Sequence, residues 1–547
     1  MWPQGSRSER DLNQAKGVGV SITRAHRESR EVWIEWKARH PRDRTSSVGF
    51  SVHVGVHPID EVDRYMQQTR PARPATAVKT VARTPNRYAR VRSGIKASIT
   101  ALLAIGATAH SLSAQALSVV PSAVGFGITT PAGRGGTVHK VTTLNETGPG
   151  SITACTNASG PRVCVFEVSG TIRLSGDLVL RNPNITIAGQ TAPSPGIMLR
   201  GGGLLIKTSH VLVQHIRVRP GDDAAGTAPD NRDALKIESD SRIGNIVIDH
   251  CSFSWAIDET ASLWQNWDNV VLSNNIFAEA LNDSLHSKGP HGYGVLLGPV
   301  EGRATLVNNL FAHLVERNPL SRASDLTFVN NVVYNRANMD VDLQSERGIV
   351  TRSSVVGNVF IRGSNYARSN KPVLVRDSGS LAVQSGARVH LADNVATEAG
   401  SDPFQVAGTL GSSVLPQSFR ASAPPVWPEN LVSRPTSGNT VLNHVLTNVG
   451  ARPADRDSAD RRVVQTVRDR NGQIINCVAP NGTPRCEKNA GGWPTLAQNT
   501  RALTVPANPN TVTANGYTNL ELWLHGMAAQ VEGRASALPA APVLRVE

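Results

Sequence analysis

The sequence Asn269-Val-Val-Leu-Ser-Asn-Asn recurs in altered form as Ala304-Thr-Leu-Val-Asn-Asn and as Leu326-Thr-Phe-Val-Asn-Asn. Each copy is a short run of aliphatic and β-branched residues that ends at a pair of asparagines. Successive pairs, at 274–275, 308–309 and 330–331, are 34 and 22 residues apart. A short repeat with irregular insertions is typical of a solenoid, because one coil buries its apolar face only against the next coil.

Related runs extend over residues 160–400 and favour one architecture. They predict an all-β fold, a right-handed parallel β-helix, in which asparagines at equivalent corners stack into a hydrogen-bonded ladder. A β-propeller is disfavoured, because its blades have about 40–45 residues and a signature that this sequence lacks. The longer spacings between residues 219 and 322 predict that inserted turns form a groove there.

The segment before the repeats predicts export from the cell. Residues 1–86 show no sustained period, which predicts disorder or a segment upstream of the true translation start. Residues 87–116 combine basic residues, an apolar run at 97–109 and the small residues of Ala114-Gln-Ala, the layout of a secretory signal peptide. The apolar run is shorter than the roughly 20 residues that cross a bilayer, so a membrane anchor is the less favoured alternative.

The remaining chain is predicted to contain two parts. The β-helix is predicted at 117–400, with the mature chain beginning near Leu117. A partly helical extension at 401–547 is predicted to pack on the β-helix and shield its edge strands. Its predicted helices lie at 441–448, 455–470 and 515–527. The last helix is amphipathic, and its predicted buried residues are Leu520, Leu522, Trp523 and Met527.

The formal net charge of +13 is unevenly distributed. Residues 1–116 hold 19 Lys and Arg against 9 Asp and Glu, whereas the remaining chain holds 37 against 34. The body of the protein is therefore close to neutral. This distribution does not favour a nucleic-acid partner, which would need a basic surface on the folded part.

The five cysteines form two local pairs and one single residue. Cys155 and Cys164 bracket one turn, and Cys477 and Cys486 bracket another, which predicts two disulfides formed in an oxidising compartment. Five reduced cysteines are the alternative. The sequence contains no Cys-x-x-Cys pair, so a thiolate zinc site is not favoured.

Carboxylates are frequent in the window that holds the insertions. Side chains on adjacent coils lie about 4.8 Å apart, so carboxylates from two coils can share a hard cation such as Ca²⁺. Asp233 and Asp258 are the favoured ligands, and Asp230 and Glu259 are weaker candidates. For Asp249, which lies two residues before Cys251, a corner hydrogen bond is the alternative interpretation.

Basic residues follow the carboxylates along the chain. Lys288, Arg317 and Arg322 are the candidates, and Pro319 favours an extended path between the two arginines. For one arginine alone, an ordinary surface salt bridge is the favoured interpretation. Basic residues combined with upstream carboxylates fit metal-assisted chemistry on an acidic polymer better.

Five motifs resemble one known family, the pectate lyases of polysaccharide lyase family 1, in its secreted bacterial branch. The resemblance covers about residues 120–530. The motifs are Gly125-Phe-Gly with Gly133-Arg-Gly-Gly, Ala188-Gly-Gln-Thr-Ala-Pro-Ser-Pro-Gly, Val218-Arg-Pro-Gly-Asp-Asp, Val247-Ile-Asp-His-Cys-Ser-Phe-Ser-Trp and Arg317-x-Pro-x-x-Arg322. The resemblance implies a right-handed parallel β-helix, dependence on Ca²⁺ and eliminative cleavage of polygalacturonate.

Residue by residue, the resemblance assigns roles to four positions. Arg317 matches the catalytic base of the family, and Arg322 matches an arginine that binds substrate. Asp233 and Asp258 match two calcium-binding carboxylates. These roles are what the resemblance implies.

The sequence departs from the family pattern at two positions. Ser262 stands where the family often has a third carboxylate, and Tyr293 stands where it has a catalytic lysine. Lys288, five residues before Tyr293, is the predicted replacement for that lysine. Lys288 and His291 are also predicted to bind substrate.

The sequence therefore predicts a secreted, monomeric, calcium-dependent pectate lyase that releases unsaturated oligogalacturonides from pectin and has no membrane anchor after processing. Three alternatives stay open at this point. A pectin lyase would act on methyl-esterified chains without Ca²⁺, and a glycoside hydrolase would place two carboxylates for attack by water. A non-catalytic β-helix adhesin would bind glycans without converting them.

Overall fold

The computed structural model describes residues 117–366 and 371–535, and the backbone of three strands nearer the N-terminus. The predicted signal peptide at 87–116 and the rest of residues 1–86 lie outside the described residues. The chain separates into two compact units, Met1–Ala109 and His110–Glu547. In the first unit, strands β1 (Val20–Glu28), β2 (Glu31–Arg39) and β3 (Ser47–Gly55) form an antiparallel sheet in the order β1-β2-β3.

The second unit contains three sheets, A, B and C, whose paired strands are all parallel. Sheet A contains β7 (Leu178–Leu180), β10 (Leu204–Ile206), β13 (Leu235–Glu238), β16 (Glu259–Trp264), β19 (Tyr293–Leu297), β22 (Leu320–Ser321), β25 (Val341–Leu343), β28 (Val373–Val375) and β30 (Ala407–Thr409). Sheet B contains β4 (Thr137–Val141), β5 (Arg162–Phe166), β8 (Ile185–Ala188), β11 (Val211–Gln214), β14 (Ile243–Asp249), β17 (Trp267–Ser273), β20 (Arg303–Val307), β23 (Asp325–Val329), β26 (Arg352–Val356) and β29 (Arg388–Ala392). Sheet C contains β6 (Gly170–Arg173), β9 (Ile197–Arg200), β12 (Ile216–Arg219), β15 (Ser252–Ser254), β18 (Ile276–Ala278), β21 (Leu310–Ala312), β24 (Val332–Tyr334) and β27 (Val359–Ile361).

The chain visits the sheets in the repeating order A, B, C, so each coil contributes one strand to each sheet. Inward-facing aliphatic and aromatic residues from all three sheets form one continuous apolar interior. Phe253, Phe277 and Phe311 stack along this interior, with ring centres 5.5 and 5.2 Å apart. The prediction of a parallel β-helix is confirmed.

The predicted asparagine ladder lies at the corner between sheets B and C. The side-chain amide of Asn275 donates to Oδ1 of Asn309 at 3.1 Å, and Asn309 donates to Asn331 at 3.0 Å. Asn331 and Asn358 continue the series along the next coils. Each Oδ1 also accepts a backbone N–H from the neighbouring coil, so these buried amides are satisfied by one another.

The first asparagine of each pair adopts a left-handed backbone conformation. Asn274, Asn308 and Asn330 have φ values of 55°, 56° and 55°, in the left-handed region. Asparagine enters this region more readily than most residues with a side chain. These residues let the chain turn sharply from sheet B into sheet C.

Four helices accompany the β-helix in the described residues: α1 (Ile152–Asn157), α2 (Thr440–Asn448), α3 (Ser458–Asp469) and α4 (Asn519–Glu532). The last three correspond to the predicted helices, with shifted ends. Helix α4 begins later than predicted because Thr518 and Glu521 form a reciprocal capping box at its start.

The predicted buried face of α4 needs correction. Leu520 is buried, but Leu522, Trp523 and Met527 are only half-buried. Leu524 is buried instead and packs with Leu520 on the outer side of β5. Trp523 and Met527 contact the edge of this cluster. Leu524 therefore takes the place of Leu522 on the buried face, so α4 is turned about its own axis relative to the prediction.

The outer faces of sheets B and C are covered by other parts of the chain. Helices α2 and α3 pack on outward residues of sheet C, and residues 119–132 pack on sheet B. Among the described residues, no apolar cluster includes the outward residues of sheet A. Sheet A is therefore the face on which polar side chains can meet a ligand.

Both predicted disulfides are present. Cys155 is bonded to Cys164, and Cys477 is bonded to Cys486, while Cys251 is buried and unbonded. Each bridge closes a local loop, as the sequence spacing indicated. Within the described ranges, no helix is both long and apolar enough to cross a bilayer.

Candidate active site

The candidate site lies on sheet A, where long turns from sheet C enter β13, β19 and β22. In the sheet register, Leu235 pairs with Ala261, so Asp233 and Glu259 occupy equivalent positions on successive coils. Glu259 in turn pairs with Tyr293 on the next coil. Residues far apart in sequence therefore form one short row along the edge of the sheet.

Three carboxylates of this row converge. Asp233, Asp258 and Glu259 each offer an oxygen, and these oxygens lie within 4.8 Å of one another. Asp233 is buried and accepts a hydrogen bond from the Ser262 hydroxyl, while its other oxygen, Oδ1, has no hydrogen-bond partner in the described structure. Burial, reinforced by the nearby Asp258 carboxylate, raises the pKa of Asp233 to about 8.

The carboxylate cluster suits a hard divalent cation. An unpaired oxygen on a buried carboxylate is costly, and a cation bound there removes that cost. Oxygen-only donors of this kind match the ligand preference of Ca²⁺. Asp233, Asp258 and Glu259 would hold such an ion, and Ser262 orients Asp233 through its hydroxyl.

Arg317 lies against this cluster from the turn before β22, two coils beyond Glu259 in the sheet register. Its Nη1 forms an ion pair with Glu259, and its guanidinium carbon lies 4.2 Å from the centre of the Tyr293 ring. Burial lowers the pKa of Arg317 to about 10; the neighbouring Arg322 also lowers it, whereas Asp258 opposes the shift. The residue has φ 62°, a left-handed conformation that turns its side chain out of the strand path.

A stacked pair of histidines borders the carboxylates. The rings of His286 and His291 are 3.9 Å apart and nearly parallel. His291 Nε2 lies 3.0 Å from Asp258 Oδ1. The predicted substrate residue His291 is thus in contact with a predicted metal ligand.

Asp230 and Lys288 lie at the outer part of the same turns. Asp230 accepts two hydrogen bonds from Ser287, one from its backbone N–H at 2.7 Å, and lies outside the three-carboxylate cluster. Lys288 is exposed, and its backbone N–H donates to His286 Nδ1 at 3.1 Å. The structure therefore brings Asp258, Glu259, Asp233 and Arg317 together, and places Asp230 and Lys288 beside them.

Arg322 is held by the next coil. Its Nε donates to Gln344 at 2.9 Å, and its Nη1 pairs with Glu346 at 2.8 Å. It lies close enough to Arg317 to lower that residue's pKa. The predicted catalytic and substrate arginines are thus neighbours on one face of the β-helix.

Sequence reasoning missed three contributors to the site. Tyr293, noted only as a departure from a pattern, covers one face of Arg317. Ser262, noted as a missing carboxylate, fixes Asp233. His286 was not singled out, although the histidine-rich sequence His286-Ser-Lys-Gly-Pro-His-Gly-Tyr was a visible signal.

Sequence comparison finds relatives along most of the chain. Probable pectate lyase C of Neosartorya fischeri is 28% identical over 444 residues, which cover 78% of this chain and 98% of that protein. Pectate lyase 5 of Ambrosia artemisiifolia is 26% identical over 344 residues, 55% of this chain and 82% of that protein. No protein-family model matches the chain.

Solved structures give a weaker likeness. Pectate lyase II from Xanthomonas campestris pv. campestris has 15% identity and a TM-score of 0.38, covering 61% of this chain and all of that one. A pectate lyase from Bacillus sp. N165, in complex with trigalacturonate, has 15% identity and a TM-score of 0.38. The match covers 59% of this chain and 95% of that one.

The three parallel sheets form a β-helix, and 78% of the chain aligns with a curated lyase. The protein is therefore an enzyme of the polysaccharide lyase class. Within that class, its sequence is similar to those of curated pectate lyases. The relatives do not bear on the bacterial branch, which stays a prediction.

Proposed function

We propose that this chain is a secreted, calcium-dependent pectate lyase that cleaves α-1,4-polygalacturonate by β-elimination and releases unsaturated oligogalacturonides. One observation carries the proposal: the buried Asp233, which has one unpaired oxygen, belongs to a three-carboxylate cluster that also contacts the half-buried Arg317. The pectate lyase names of the relatives support the substrate.

The chemistry begins at the hydrogen on C5 of a galacturonate, which is α to the carboxylate. Calcium bound by Asp233, Asp258 and Glu259 would supply charge withdrawal from that substrate carboxylate. The protein side chains contribute orientation. Ser262 fixes Asp233, and Tyr293 and Glu259 hold the Arg317 guanidinium on the same side of the sheet.

Arg317 is the proposed base. A guanidinium normally stays protonated, but burial lowers the Arg317 pKa to about 10, so its neutral form is more accessible than that of an exposed arginine. A base this strong suits a weak carbon acid. Arg317 takes the C5 proton, the C4–O4 bond breaks, a C4–C5 double bond forms, and the departing oxygen takes a proton from water.

Three further residues are proposed to bind the acidic polymer. Arg322 lies beside Arg317, and Lys288 and His291 lie on the turn before β19. Their positions border the same face, where carboxylates of successive sugars would be neutralised. A catalytic role of Lys288 in place of the family lysine also stays a prediction.

One assay tests the activity. Polygalacturonate and highly methyl-esterified pectin are each incubated with the enzyme, with and without EDTA, and the conjugated product is followed by near-ultraviolet absorbance. We expect absorbance from polygalacturonate that EDTA abolishes and added Ca²⁺ restores. Activity on methylated pectin that resists EDTA would instead identify a pectin lyase.

Two other outcomes would contradict elimination. New reducing ends without ultraviolet absorbance would identify a hydrolase, and polymer binding without either signal would identify an adhesin.

Secretion is supported by the predicted signal at 87–116 and by the two disulfides. N-terminal sequencing of exported protein is expected to begin near Leu117, and an intact Met1 would contradict that processing.

A further inference from the structure

A second group of possible ligands lies away from the carboxylate cluster, at the corner between sheets B and C. His215 follows β11 and His250 follows β14, so they occupy equivalent corners on successive coils. Their rings stack with centres 5.3 Å apart. Glu532, the last residue of α4, reaches the same point, and all three side chains are buried.

The hydrogen bonds of the two histidines fix where their protons are. His215 Nδ1 donates to the carbonyl oxygen of Ala451 at 2.8 Å, and His250 Nδ1 donates to the Asp249 carboxylate at 2.9 Å. A carbonyl or carboxylate oxygen only accepts, so each Nδ1 carries the proton. In the neutral rings, both Nε2 atoms therefore present lone pairs.

Those lone pairs face a third acceptor. His215 Nε2 lies 3.5 Å from Glu532 Oε1, and His250 Nε2 lies 3.7 Å from Glu532 Oε2. His215 Nε2 is buried and has no hydrogen-bond partner among the described residues. Three acceptors that converge in a buried place repel one another unless a proton or a metal cation lies between them.

The spacing favours a metal ion over protons. A hydrogen bond between nitrogen and oxygen prefers about 2.7–3.2 Å, which is shorter than both distances. Two ligands that each lie about 2.0–2.2 Å from a tetrahedral ion are about 3.4 Å apart. The observed separations are close to that value.

The surroundings also match a metal site. In many such sites the second ring nitrogen of a ligating histidine donates to a carboxylate or a backbone carbonyl, as both Nδ1 atoms do here. Glu532 stands at the C-terminal end of α4, where the helix dipole disfavours a negative charge. Arg534 forms an ion pair with Glu532 Oε2 at 2.5 Å. Because Arg534 is half exposed, solvent weakens its stabilisation of the negative charge on Glu532.

We propose that His215, His250 and Glu532 bind one Zn²⁺ that fastens the end of α4 to two coils of the β-helix. Two imidazoles and one carboxylate suit Zn²⁺, whereas Ca²⁺ prefers oxygen ligands only. One Glu532 oxygen and the two imidazole nitrogens give three protein donors, and a water molecule would complete the four-coordinate site. The site is independent of the proposed lyase activity.

The test uses the full chain, purified without a polyhistidine tag, stripped with chelator, saturated with Ca²⁺ and then exposed to Zn²⁺. After desalting, zinc is measured by mass spectrometry. We expect the wild type to retain one more zinc per chain than His215→Gln or Glu532→Gln, with affinity in these variants at least about 100-fold lower. Cobalt in place of zinc is expected to give the visible absorption of a tetrahedral site in the wild type only.

A matched variant separates this site from the histidine pair near Asp258. His286→Gln removes a donor from that cluster and is expected to keep the zinc bound by His215. Equal zinc in wild type and His215→Gln would overturn the proposal, as would a wild type that retains none. A melting temperature that depends on pH but not on Zn²⁺ would show that protons, rather than a metal, hold the three side chains together.

Discussion

The guanidinium carbon of Arg317 lies 4.2 Å from the centre of the Tyr293 ring. The ring covers one face of the guanidinium, and Glu259 pairs with Nη1. Such stacking holds a charged group in one orientation and keeps water from one side of it. Tyr293 stands where the family resemblance expects a lysine. Arg317 is therefore stacked on an aromatic ring at the position where the resemblance implies a second cation.

Arg317→Ala is expected to lower kcat by about 10²–10⁴-fold, because the base that takes the C5 proton is removed. Initial rates from product absorbance on polygalacturonate measure this, and retention on the polymer checks binding. Arg303→Ala is the matched control, since Arg303 is exposed and forms its ion pair with Asp268 on sheet B. Turnover by Arg317→Ala within about tenfold of wild type would remove Arg317 from the role of base.

Asp233→Asn is expected to weaken Ca²⁺ binding by about 100-fold or more, because it removes the buried carboxylate at the centre of the cluster. Calorimetric titration of Ca²⁺ into chelator-treated protein measures the affinity. Asp230→Asn is the control, because Asp230 bonds to Ser287 outside the cluster and should leave the affinity close to wild type. The same loss in both variants would place the ion elsewhere on the turn.

The fold could be predicted because its determinants are local and repeated. A corner asparagine that bonds to the next coil, as Asn309 does to Asn331, must recur wherever coils are stacked. The left-handed corner before it also recurs, at Asn274, Asn308 and Asn330. A period of this kind is visible without knowledge of any distant contact.

The details of the site could not be predicted, because they depend on contacts between irregular turns. The stacking of His286 on His291 needs a turn whose path no repeat determines. Tyr293 and Arg317 meet only because β19 and the turn before β22 are neighbours. The rotation of α4, which buries Leu524 in place of Leu522, is likewise set by the β5 surface it covers.

Lys288→Ala is expected to raise KM for polygalacturonate a few-fold and to leave kcat close to wild type, because the side chain is exposed at the end of its turn. The rise in KM should shrink at higher ionic strength, as expected for a screened charge. Lys140→Ala, at an exposed lysine on β4 of sheet B, serves as control. A large fall in kcat with unchanged KM would instead give Lys288 the catalytic role predicted from the sequence.

His313 should make the protein less stable in acid. Its Nδ1 accepts a hydrogen bond from Asn335 at 2.9 Å, so the proton is on Nε2, which donates to Thr466 of α3 at 2.8 Å. Burial lowers the pKa of His313 to about 4, from an ordinary value of 6.5. Glu279 opposes this shift, and Arg462 reinforces it.

As the pH falls from about 6.5 to about 4, the unfolded chain takes up this proton before the folded protein does. The free energy of unfolding is therefore expected to fall by up to about 3 kcal/mol from this residue alone. Urea unfolding across that range, in wild type and in His313→Gln, measures the difference, and His139→Gln on β4 is the control. The curve for His313→Gln should be flatter than the other two. The same slope in all three curves would contradict this prediction. It would mean that protonation of His313 does not lower the free energy of unfolding, so the contact between sheet C and α3 would not depend on a neutral His313.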